Sequence, residues 1–182
     1  MIRVFLFFIL FVQSLFGYNY DDLLLKAQSS IFPKIMLLDK KIQHKLVENK
    51  IIYTIVYDGN DYQTALHVKN YIDNIFRGHF DKYPYVVNAV DFSQLDATTK
   101  ASAFYVLKSS KQNIEKVADI ARQKGIITFS YDINNLKYGL LFSLIIEKST
   151  VIYLNKENLN ANDIDFVDFL FQMVKFIDKD NF

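Results

Sequence analysis

The spacing of apolar positions changes several times along this chain, and each change marks an element. Val4 to Val12 (VFLFFILFV) is one unbroken apolar run behind a single charge, Arg3. From Tyr20 to about Leu38, Leu23, Leu24, Ala27, Ile31, Ile35 and Leu38 recur at helical spacing. Pro33 lies inside that pattern and predicts a kink or a split. Asp39 to Asn49 reads as a second, short, Lys-rich helix. Ile51 to Tyr57 (IIYTIVY) is β-branched and aromatic, and nearly all apolar, which suits a strand covered on both faces. Asp58-Gly59-Asn60 then supplies turn chemistry, and Asp61 is placed to cap a helix to about Phe76, stopped by Gly78.

The alternation continues. Tyr85 to Phe92, Ala103 to Leu107 and Ile126 to Ser130 read as three further strands. A helix capped by Ser109 or Ser110 buries Ile114, Val117, Ala118 and Ala121 and stops at Gly125. Asn134 to Tyr138 predicts one helical turn closed by Gly139. Leu140 to Glu147 and Thr150 to Leu154 are separated only by Lys148-Ser149. That gap is too short for a parallel crossover, so an antiparallel hairpin at the sheet edge is expected. A last helix should start at Asn162 or Asp163 and carry Ile164, Val167, Phe171, Val174 and Ile177 inward. Strands alternating with helices predict an α/β three-layer sandwich with a mostly parallel, Rossmann-like sheet.

The first seventeen residues stand apart. Arg3, the apolar run and the small Gly17, followed by the polar Tyr18-Asn19-Tyr20-Asp21-Asp22, have the layout of a secretory signal peptide with Gly17 as its last residue. The run is short for a bilayer span, which takes roughly 20 residues. The expected organisation is therefore 1–17 signal peptide and 18–182 a single domain, located in the periplasm. The full chain carries 21 basic and 20 acidic residues, and losing Arg3 leaves 20 against 20. A neutral chain offers nothing to attract nucleic acid. Cysteine is absent, so neither disulfides nor a thiolate nucleophile nor a Cys zinc site is available.

Catalytic motifs are equally scarce. His44, His67 and His79 have no metal-site spacing, and there is no GxSxG, Walker A or GxGxxG motif. The reading is non-enzymatic, with no cofactor and no metal. Ligands of open α/β sheets bind beyond the carboxyl ends of the strands. Those ends offer Asp58, Asn60, Ser109, Ser110, Ser130, Tyr131 and Asp132, which suit either a hydrogen-bonded ligand or ordinary caps and turns. Aromatic residues make up 16% of the chain, and tyrosine is favoured at protein interfaces. Phe80, Tyr83 and Tyr85 are the expected partner surface.

The order of elements carries a resemblance. The stretches are Ala27 to Lys34, Phe104 to Ser110, Gly125 to Asp132, Leu136 to Ser143, Ile152 to Asn155 and Phe169 to Met173. Together they resemble the YfiR-like family of small periplasmic proteins over nearly the whole chain after residue 17. The resemblance implies a Rossmann-like sandwich without catalytic residues. It also implies a repressor that binds the periplasmic part of an inner-membrane signalling protein, a diguanylate cyclase in the best-understood members. An outer-membrane lipoprotein then relieves the block. Lacking Cys, this chain cannot share the disulfide tuning of some members, and the family's glycine pair is reduced to Gly139. A homodimer is compatible with this picture. The other reading left open is a periplasmic small-ligand sensor.

Overall fold

A computed structural model describes residues 17–160 and 164–178. The apolar leader before Gly17 and the expected helix start at Asn162 or Asp163 lie outside the described residues.

Eight strands form one sheet in the order β2-β3-β1-β4-β5-β6-β7-β8. They are β1 (Ile51–Tyr57), β2 (His79–Phe80), β3 (Tyr83–Asp91), β4 (Ala103–Val106), β5 (Ile127–Ser130), β6 (Phe142–Ile146), β7 (Thr150–Asn155) and β8 (Val174–Ile177). β1 is the apolar centre that its composition predicts, pairing parallel with β3 on one side and β4 on the other. β4, β5 and β6 continue in parallel, and β6 and β7 form the expected antiparallel hairpin.

The helices divide between the two faces of the sheet. α1 (Asp22–Met36) and α2 (Tyr62–Phe76) cover one face, with Leu25, Phe32, Ala65 and Val68 against Tyr53, Tyr105 and Phe129. α3 (Lys111–Lys124) covers the other, with Ile114, Val117 and Ala121 against Val56, Phe104 and Val106. Along β4, Ala103 and Tyr105 enter the first core while Phe104 and Val106 enter the second, the two-residue alternation of a strand. The architecture is a three-layer α/β sandwich. Two short helices, α4 (Lys156–Asn160) and α5 (Asp168–Met173), complete the carboxyl-terminal part.

Several local expectations give way to tertiary context. α1 runs through Pro33, which is buried near its carboxyl end, where the missing amide removes a single bond. The Lys-rich segment forms only a 3-10 turn, Ile42–Lys45. The Asp39 carboxylate accepts from the Lys41 amide at 3.0 Å and pairs with Lys45 at 3.3 Å, which competes with helix formation. α2 closes on Arg77, left-handed at φ 52°, with Gly78 following at φ 92°. The expected last helix is reduced to α5, and Val174–Ile177 becomes β8, parallel to β7 from Ile152↔Val174 to Asn155↔Ile177. The hairpin is therefore flanked by one more strand.

Candidate functional site

The strand order reverses direction between β1 and β4, since β3 follows β1 to one side while β4 and β5 follow to the other. In an open parallel sheet that gap is the ligand crevice. The ends are level there. The Leu107 amide donates to Val56 O and the Tyr131 amide to Val106 O, both at 2.9 Å, so Asp58, Lys108 and Asp132 leave the sheet together.

The segment ahead of α1 lies across this gap. The Tyr18 amide donates to Asp61 Oδ1 at 3.0 Å, and the Tyr20 hydroxyl donates to Asp61 Oδ2 at 2.7 Å. The same hydroxyl accepts the Lys108 amide at 3.0 Å, a donor that an anionic ligand would otherwise take. Lys108 Nζ donates to Asn19 O at 2.6 Å and stands 5.4 and 5.2 Å over the Tyr20 and Tyr131 rings. The Asp21 amide donates to the Tyr131 hydroxyl at 2.8 Å, and the two tyrosine rings meet edge to face at 4.8 Å.

Beneath this strap, Gln28 of α1 is fully buried. Its Nε2 donates to Tyr131 O at 3.1 Å and Leu144 O at 2.9 Å, and its Oε1 accepts the Tyr105 hydroxyl at 2.5 Å. Burial raises the Asp61 carboxyl above its ordinary range, with Asp58 adding to the effect and the Tyr20, Tyr18 and Lys108 contacts opposing it. Burial, then the bond to Asp61, pushes the Tyr20 phenol well up, so it stays a donor at neutral pH.

The expected ligand residues are placed as follows. Ser109 Oγ donates to Asp58 Oδ2 at 2.8 Å and accepts from Asn113 Nδ2 at 2.8 Å, which ties β1 to α3. Ser110 caps α3. Ser130 donates to Asp132 O at 2.8 Å and accepts from Asn135, while the Asp132 carboxylate caps the 3-10 turn Ile133–Tyr138 through the Asn134 amide at 2.9 Å. Tyr131 is 7% exposed, its hydroxyl taken by Asp21. Asn60 lines a cavity of about 230 Å³ together with Gly17, Tyr18, Asp58 and Asp61. The structure thus joins Asp58 to Ser109 and Ser130 to Asp132.

Asp61, expected as a helix cap, makes no side-chain capping bond and is 2% exposed beneath the strap. Sequence reasoning missed Tyr18, Tyr20, Gln28 and Lys108. The available signal was the polar, tyrosine-rich stretch directly after the leader.

Of the expected partner surface, Phe80 needs correction. Phe80 is 0% exposed, stacked on Tyr85 at 4.0 Å and edge-on to Phe76 at 4.9 Å, because β2 turns it into the core. Tyr85 is half-buried and its hydroxyl donates to Asp73 at 3.1 Å. Tyr83 is half-buried with Lys82 over its ring. Large apolar side chains are exposed at the far end of the sheet, Phe169 at 59%, Met173 at 41% and Phe176 at 42%, as well as at Leu23 on α1 and Val86 beside Tyr85.

No protein-family model matches the chain, and no curated protein matches it. Among solved structures, it is similar to a conserved domain protein from Vibrio cholerae, at 12% identity and TM-score 0.51 over 76% of this chain. It is also similar to an ABC domain in complex with L-Trp from Streptococcus pneumonia, at 12% identity and TM-score 0.51 over 79% of this chain. The chain spans 60% of the length of each. At this identity the likeness is one of fold.

Proposed function

We propose that this chain is an exported, non-enzymatic regulator. It binds the extracytoplasmic part of an inner-membrane signalling protein, as the YfiR-like resemblance implies. A diguanylate cyclase is the finer partner class, and an outer-membrane lipoprotein the class that would sequester the regulator.

The observation that carries this reading is the apolar end of the sheet. Phe169 and Met173 lie one helical turn apart on α5, and Phe176 follows on β8 with its ring 6.1 Å from Phe171. β8 is also the last strand of the sheet among the described residues, so a partner strand could extend it. Exposed apolar side chains beside a strand edge are the ingredients of a protein contact. The ligand-sensor reading has less support, because the strand-end donors that a ligand would need are engaged by the protein's own Tyr20, Asp58 and Asp132.

The test is affinity capture from the envelope of the native cell, using the full-length chain and its Phe169→Ser/Phe176→Ser variant. The expected result is a membrane signalling protein captured by the first and lost with the second, while both keep the same melting temperature. Equal capture by both would remove the proposed face. A single small molecule that raises the melting temperature strongly, with no membrane protein captured, would favour the sensor.

A further inference from the structure

Asp61 holds a carboxylate in a buried place with an unfinished set of charges. Its two oxygens accept from an amide, Tyr18, and a hydroxyl, Tyr20, both neutral donors. Asp58 is the second carboxylate at the same cavity. Among the described residues, the cation acting on Asp61 is Lys108, whose Nζ is drawn toward Asn19 O and the rings of Tyr20 and Tyr131. A buried carboxylate without a close cation is costly, and a paired one much less so.

The residue before Tyr18 bears on the same point. A Cβ added to Gly17 would press into Asp61 Oδ1 and come within 3.2 Å of Asn60 O. The junction between residues 17 and 18 is thus seated directly on the carboxylate, and a side chain at residue 17 would require Asp61 to shift.

We propose that removal of residues 1–17 completes this site: the new α-ammonium of Tyr18 forms an ion pair with Asp61 and locks the strap over the strand ends. The inference rests on the reading of residues 1–17 as a cleaved leader. Hydrolysis of the Gly17–Tyr18 peptide bond consumes one water. It leaves the Gly17 carboxylate on the leader and a primary amine on Tyr18, which takes up a proton at neutral pH. The nitrogen that donates to Asp61 at 3.0 Å as an amide then donates as a cation. Export and folding are coupled in this way, since the leader-bearing chain lacks the pair.

The test uses the full chain with its own leader, expressed in a bacterium, and the product purified from the envelope. Intact mass reads the junction. The rate of α-amine acylation near neutral pH reads the pairing. The expected product starts at Tyr18, and its α-amine reacts at least about tenfold more slowly than in the Asp61→Asn variant. Since that variant also loses the Tyr20 bond, the same native product unfolded in urea serves as a second reference. A product starting at Tyr18 whose α-amine reacts as fast as in urea overturns the ion pair and leaves the export reading intact. A product starting elsewhere overturns the pair in the same way. A product with its leader retained overturns both.

Discussion

Replacing Tyr20 by Phe removes one hydroxyl and leaves the ring in place against Tyr131. That hydroxyl makes two bonds, a donation to the Asp61 carboxylate at 2.7 Å and an acceptance from the Lys108 amide at 3.0 Å. A hydrogen bond to a charged group contributes about 1.5–3 kcal/mol, and a neutral one about 0.5–1.5 kcal/mol. Tyr20 is half-buried, so water recovers part of the loss. The expected destabilisation is about 2–3 kcal/mol, or about 4–12 °C in melting temperature for a chain of this size. The assay is urea unfolding followed by circular dichroism, with unchanged slope in denaturant. A cycle with Asp61→Asn should show coupling of about 1 kcal/mol or more, because the two groups touch. A Tyr20→Phe cost below about 0.5 kcal/mol, or strictly additive effects, would refute the view that this strap closes the strand ends.

Other expectations come from the same structure. Gln28→Leu strands the Tyr105 hydroxyl and the carbonyls of Tyr131 and Leu144, and should cost about 3 kcal/mol by chemical unfolding. Phe129→Ala removes a ring stacked on Phe32 at 4.7 Å and on Phe142 at 5.5 Å, and should cost about 3–5 kcal/mol by the same assay. Gly139→Ala places a Cβ 2.7 Å from that of Ala118 at φ 107°, so a loss of about 2–4 kcal/mol is expected from strain and overpacking. Burial raises the phenols of Tyr53 and Tyr105. A raised folded value means stability held below the ordinary phenol range near about pH 10 and lost above it. Ultraviolet titration should therefore show part of the tyrosine ionising only as the far-ultraviolet dichroism collapses.

The central sheet was legible because β1, β4 and β5 are buried on both faces, and β1 and β4 read as nearly continuous apolar runs. α3 was legible because Ser110 and Gly125 mark its ends. β8 was not, since Val174 and Ile177 fit a helical spacing and only pairing with β7 makes them a strand. That Asp58, Ser109, Ser130 and Asp132 follow strand ends was legible from the strand pattern, but their partners were not. Asp58 and Ser109 are 51 residues apart in sequence, and Tyr20 reaches Lys108 across 88. No local pattern encodes such contacts. Phe80 misled because a short aromatic, charged stretch around a turn looks exposed, whereas the β2–β3 turn folds its ring inward.

The most direct measurement is site-specific photo-crosslinking in the native cell, with the reactive group placed at Phe176 in one full-length chain and at Ser109 in another. Docking at the apolar end of the sheet predicts a crosslink from position 176 to the extracytoplasmic part of a membrane signalling protein, and none from position 109, which lies beside the closed crevice. A membrane partner captured from position 109 and absent from 176, or no membrane partner from either, would contradict it.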